Sequence, residues 1–209
     1  MTAGLSLAVM AGQFVPRASD AAYAVLFGLA ENLAIMAVLF AHPAIRRAIR
    51  PMLGLPRHPF ELAGIGLLRW ILGGGLAFLC FFLALIVTQL WLPQSLATLI
   101  PVETPHTFDL AKAEPLQSIT RYLLLPVAAT MEELVFRAGI FLVLANLNAG
   151  PAVIVLVSAT AFGLAHTTSG ATAMAFAFLA GIGQMGVFLM WRSLPPLIFG
   201  HYIYNLWRT

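Results

Sequence analysis

The run "TMEELVFRAGIFLVL", residues 130–144, places Glu132, Glu133 and Arg137 inside a stretch that otherwise reads as membrane. Ionisable side chains are costly in a bilayer, and they usually face a bundle interior or a water-filled cavity. Glu133 and Arg137 stand four positions apart, with the acid N-terminal to the base. On a helix that spacing puts them on one face, in the favourable orientation for an ion pair. A buried arginine without a counter-charge is strongly destabilising, and Glu133 supplies one. Glu132 is turned by about 100° from Glu133 at 3.6 residues per turn, so it is not committed to Arg137. A carboxylate free of that pairing is suited to take a proton from water and return it later.

The rest of the chain sets the context. Its 209 residues are 61% hydrophobic and only 9% charged, against about 25% charged in soluble domains. The mean hydropathy is +0.93. The class is therefore a polytopic membrane protein, and the lipid restricts segments of this kind to helices. The expected fold is all-α: a transmembrane bundle of about six to seven helices, up to eight, around a polar cavity. The net charge of +3 comes without a dense basic patch, so a nucleic-acid partner is not expected. The single cysteine, Cys80, excludes a disulfide framework within the chain and a Cys-rich metal site, and reads as a small packing residue.

The N-terminal stretch, residues 3–16, is apolar but short for a full crossing and lacks the basic flank of a signal peptide. The run 21–41 is long enough to span and carries Glu31 and Asn32 near its middle. The segment 42–61 holds Arg46, Arg47, Arg50 and Arg57 and reads as a cytoplasmic loop by the positive-inside rule. Residues 62–92 form a long span with Arg69 near its cytoplasmic end and "GGG" at 73–75, which permits close helix packing or a bend. Residues 93–118 hold Glu103, Asp109 and Glu114 and read as an extracytoplasmic loop. Helices follow over 119–147, 151–166, 171–191 and 196–208, with Arg192 on the cytoplasmic side. The chain divides into N-terminal helices and loop, 1–118, and a helical core, 119–209, within one structural domain.

In the second half, His166 closes "FGLAH", and His201 and Asn205 lie four apart in "HYIYN". A histidine and an amide on one helix face can both donate to a developing negative oxygen. With Glu132 as base and His166 to orient water or bind a metal, these groups suffice for amide hydrolysis without a covalent nucleophile. Ser158 and Ser169 have no acidic partner at a suggestive spacing, and "HEXXH" is absent. Gln184, Asn32 and Glu31 read as interhelical hydrogen-bond partners. His42, His58 and His106 read as solvated. Spacing alone leaves open a transporter using Glu132 as its proton site, or a scaffold held by polar contacts.

The residues fit three ordered patterns: "EELVFR" fits EExxxR, "FGLAH" fits FxxxH and "HYIYN" fits HxxxN. Together they resemble the CAAX-protease and bacteriocin-processing family, also called the CPBP or ABI family, whose eukaryotic members are the type II CAAX prenyl endopeptidases. The likeness covers about residues 119–207. It implies an intramembrane protease in which Glu132 activates water, His166 orients it, and His201 and Asn205 hold the oxyanion. Glu133 and Arg137 would support the site, with Phe162 as the motif aromatic. The family is also read as metalloproteases, and a zinc ion would fall to Glu132, His166 and His201. Two histidines on separate helices make a poor closed zinc site, so a metal-free mechanism is favoured. The expected partners are a peptide or membrane-protein substrate and the lipid bilayer. The expected location is a bacterial inner membrane. A bacteriocin-immunity protein or scaffold without proteolytic activity is the alternative within the family.

Overall fold

The computed structural model describes residues 21–53, 65–92 and 120–208. Among these there are only helices. They are α1 (Ala21–Ala41), α2 (Pro43–Ile49, continued by a 3₁₀ turn Arg50–Leu53), α3 (Ile65–Trp91), α4, α5 (Pro151–Leu164), α6 (Ala171–Trp191) and α7 (Pro195–Arg208). Helix α4 is one rod made of four pieces. These are a π turn Thr120–Leu124, an α segment Leu125–Glu133, a second π turn Leu134–Gly139 and an α segment Ile140–Asn146. The readings of residues 3–16, 54–64 and 93–118 lie outside the described residues.

Local chemistry explains the boundaries. Proline stands in the first turn of α2 and of α5, where its missing N–H costs no hydrogen bond. Helix α6 ends at Arg192 in the left-handed conformation. It begins after Gly170 at φ 91°, a value that L side chains rarely adopt. Inside α4, Pro126 has no N–H to offer the Tyr122 carbonyl, and the chain widens into the first π turn just before it.

Two helices, Trp70–Trp91 and Ala171–Trp191, are long and apolar enough to cross a membrane. A third candidate span is the bent pair Gly28–Ala41 and Pro43–Leu53, and Pro151–Leu164 is a shorter apolar helix. The seven described helices match the expected all-α bundle of about six to seven, and several of them are shorter than a full crossing. The stretch expected as a loop from 42 onward is also helical as far as Leu53. It turns by 96° from the preceding helix. Ile49 and Met52 are buried in the core, and Arg46, Arg47 and Arg50 stay exposed. Exposed large apolar side chains on α3 and α5, such as Leu83, Leu90, Val153 and Leu156, form a surface suited to lipid.

Two apolar clusters fill the interior. One joins Ile49, Met52, Leu134, Ala138, Met185, Phe188, Leu194 and Leu197. The other joins Phe81, Phe136, Phe162, Ala177, Ala180 and Tyr204. Small residues set the helix approaches. A Cβ at Gly200 of α7 would collide with the Gly74 carbonyl oxygen and lie 2.7 Å from Ala77 Cβ on α3. The "GGG" stretch thus serves close packing. Cys80 fills the space left by Gly183, where a Cβ would meet its Sγ at 2.7 Å. Gln184 donates to the Ala77 carbonyl at 2.6 Å, which ties α6 to α3 as expected. Asn32 instead donates to Gly28 of its own helix at 2.7 Å, and Glu31 makes no bond to another helix among the described residues. The interhelical bonds expected of these two are thus not made, since a side chain that reaches its own i−4 carbonyl, as Asn32 does, needs no neighbour.

Gly200→Ala is expected to destabilise the protein by about 1–3 kcal/mol through overpacking. Gly75→Ala, where a Cβ meets nothing within 4 Å, should be near neutral. Thermal unfolding of both variants in detergent checks the contrast.

Candidate active site

Glu132 and Glu133 sit at the end of the first α segment of α4, immediately before the second π turn. In that turn the Ile140 N–H points to Val135 O and Arg137 O, leaving Phe136 O without its usual i+4 donor. Ser158 Oγ on α5 donates to Phe136 O at 2.8 Å, fully buried. The serine that sequence spacing set aside as a nucleophile therefore holds the wide turn in place. Wide turns of this kind recur at functional sites.

Glu133 is the hub. Its Oε2 lies 3.1 Å from Arg137 Nε, and both side chains are fully buried. Its Oε1 accepts from His201 Nδ1 at 2.9 Å, from α7. His201 Nε2 in turn lies 3.5 Å from Glu132 Oε2. One imidazole thus faces both glutamates. The i,i+4 pair is present as expected, but the expected separation of Glu132 from the pair is incomplete, because His201 links the two acids. The side chain of Glu132 is 31% exposed, against 4% for His201 and none for Glu133. Glu132 alone among the three opens to the outside. Arg137 also places its Cζ 4.5 Å from the centre of the Phe162 ring, a cation–π contact that adds to its charge balance. Its Nη1 and Nη2 make no hydrogen bond.

His166 follows α5 and is partly exposed. Its Nδ1 lies 2.9 Å from the Phe162 carbonyl oxygen. A carbonyl only accepts, so Nδ1 carries a proton, and in the neutral form of the ring Nε2 is the acceptor. Both histidine rings lean edge-on against Phe162, His166 at 4.8 Å and His201 at 6.2 Å between ring centres. Phe162, expected as a motif aromatic, is the wall shared by His166, His201 and Arg137. Asn205 lies one turn beyond His201, half-buried, with no hydrogen bond to a described residue. Its amide is available.

Sequence reasoning missed the far wall. Phe81 of α3 lies 4.4 Å from the His201 ring and stacks at 4.9 Å on Tyr204. The N-terminal half, which looked like plain membrane, thereby positions His201. An apolar ring in an apolar span carries no signal of this in one sequence. Among the described residues no three His, Cys, Asp or Glu side chains gather closely enough to hold a metal ion. Glu132 and His201 adjoin, and His166, with Nδ1 bonded to the Phe162 carbonyl, keeps Nε2 free.

Residues 115–207 match the family model described as type II CAAX prenyl endopeptidase Rce1-like. This part of the chain is similar to those endopeptidases, and the matched segment contains every site residue discussed above except Phe81. No curated protein and no solved structure matches the chain.

Arg137→Leu is expected to cost about 3–5 kcal/mol, because it strands the Glu133 carboxylate in the core. The Glu133→Gln/Arg137→Leu double variant should regain a substantial part. Denaturant unfolding of the single and double variants measures the coupling, and strictly additive losses would show that the two do not act as a pair.

Proposed function

We propose that the chain is an intramembrane endopeptidase that hydrolyses peptide bonds in membrane-associated, lipidated or peptide substrates with a glutamate-activated water. The observation that carries this reading is the meeting of Glu132 and Glu133 with His201, with only Glu132 open to the outside. The similarity of residues 115–207 to type II CAAX prenyl endopeptidases supports peptide hydrolysis as the reaction class.

The mechanism uses side chains alone. A water hydrogen-bonded to Glu132 and to His166 Nε2 attacks the scissile carbonyl carbon while Glu132 takes its proton. His166 is suited to this because Nδ1 is spent on the Phe162 carbonyl, leaving Nε2 to accept from the water. The carbonyl π electrons move onto oxygen, and that oxyanion is held by the His201 Nε2–H and the Asn205 amide. With Nδ1 donating to Glu133 Oε1, donation from Nε2 requires a proton on each ring nitrogen of His201. The C–N bond then breaks, and Glu132 returns the proton to the leaving amine. Arg137 holds the Glu133 carboxylate in place through their ion pair. No step is routed through a metal. A bacterial inner membrane is the setting favoured here, with membrane proteins or peptides as substrates.

Glu132→Ala should lower cleavage of a membrane peptide by at least about 10²-fold with the fold intact. Asn205→Ala should lower it by roughly 10²–10³-fold. Activity is expected to survive exhaustive chelation. Undiminished cleavage by Glu132→Ala would sink the reading, as would proton flux coupled to a solute in protein that cleaves nothing.

A further inference from the structure

Helix α2 carries a feature that peptide hydrolysis does not use. Arg46, Arg47 and Arg50 are all exposed. On a helix, 46 and 50 are i,i+4 neighbours and 47 and 50 are i,i+3 neighbours, so the three charges share one face. On the other face Ile45 is half-buried, and Ile49 and Met52 are in the core. None of the three arginines forms an ion pair with an acid among the described residues. Like charges at these spacings destabilise an isolated helix, and this helix has only 7 residues plus its 3₁₀ extension.

The turn between α1 and α2 orients this face. The axis turns by 96° at the α1–α2 junction. If α1 runs across the bilayer, α2 lies along its surface. The end of the bundle is set by a hydrogen bond from Leu194 N to Met52 O at 2.7 Å, which joins α2 to the α6–α7 turn. That turn contributes exposed Arg192, whose Cζ stacks 4.0 Å over Phe141. Four arginines therefore gather at one rim of the bundle, with no described acid beside them.

We propose that α2 is an interfacial helix whose arginine face binds the phosphates of anionic phospholipids, with Arg192 completing the patch. The balancing charge that the sequence omits comes from the membrane. Guanidinium groups suit this partner because they pair bidentately with phosphate oxygens. Basic residues beside an anionic leaflet each add about fivefold to association, and the attraction falls off within a Debye length. This assignment does not depend on the proposed peptidase activity.

The test uses the full chain in nanodiscs or mixed micelles of phosphatidylcholine and phosphatidylglycerol, with bound lipid counted by native mass spectrometry. The intact protein should retain phosphatidylglycerol preferentially, and raised salt should weaken that preference. The Arg46→Gln/Arg47→Gln/Arg50→Gln variant should lose the preference by at least about tenfold, and Arg208→Gln, at the far end of α7, should keep it. Should the triple variant fail to fold, the salt titration of the intact protein and single Arg47→Gln decide. Equal retention of the two lipids, an unchanged preference in the variants, or displacement by millimolar inorganic phosphate would each overturn the proposal. The last result would point to a free-anion site instead.

Discussion

The Glu133 carboxylate is the interaction on which the rest depends. One oxygen faces Arg137 on its own helix and the other accepts from His201 on α7. Three ionisable groups could not sit in a fully buried place singly, because each would bear its own desolvation cost. Linked through one carboxylate, they offset each other. The same contact fixes the rotation of α4 relative to α7, and with it the distance from Glu132 to His201. Phe162 and Phe81 then close the two sides of the imidazole with rings. They exclude water where charge pairs need low dielectric, and leave Glu132 on the open side.

Much of this was legible in the residues. The runs 21–41 and 171–191 coincide with α1 and α6, since long apolar stretches in lipid have one backbone solution. The Glu133–Arg137 pair followed from its spacing. Other features were not legible. The π turn in α4 depends on Ser158, which lies 22 residues away and is bonded to a backbone oxygen, so no local pattern announces it. Phe81 depends on helix packing across the bundle. The arginines and prolines of α2 carry the composition of a loop, yet the segment is helical. The prolines stand where they initiate helices, and the apolar residues between the arginines anchor the segment to the core.

The asymmetry between the two glutamates has a common physical origin with the helix itself. Adjacent residues on a helix diverge by about 100°. One acid can therefore be wholly enclosed while its neighbour stays partly exposed, and the sequence needs no spacer between a structural charge and one left available. Gly200, next to His201, serves the same economy in α7. It lets α3 approach closely enough for Phe81 to reach the imidazole.

The wide turns in α4 bear on how this chain can change length. An i→i+5 turn holds one more residue than an i→i+4 turn, without breaking the rod. A soluble protein absorbs an added residue in a loop, but a backbone within lipid has to keep every polar group bonded. Helix α4 carries two such turns, one beside Pro126 and one beside the acid pair. It is in effect a helix with surplus residues stored along its axis. Removing one residue from the second store would leave the composition, the hydropathy and the motif letters around it almost unchanged. The turn would then close to i→i+4 bonding, and everything beyond it would keep close to its present face, whereas the same deletion from a regular α segment would rotate it by the angle that separates one glutamate from the next.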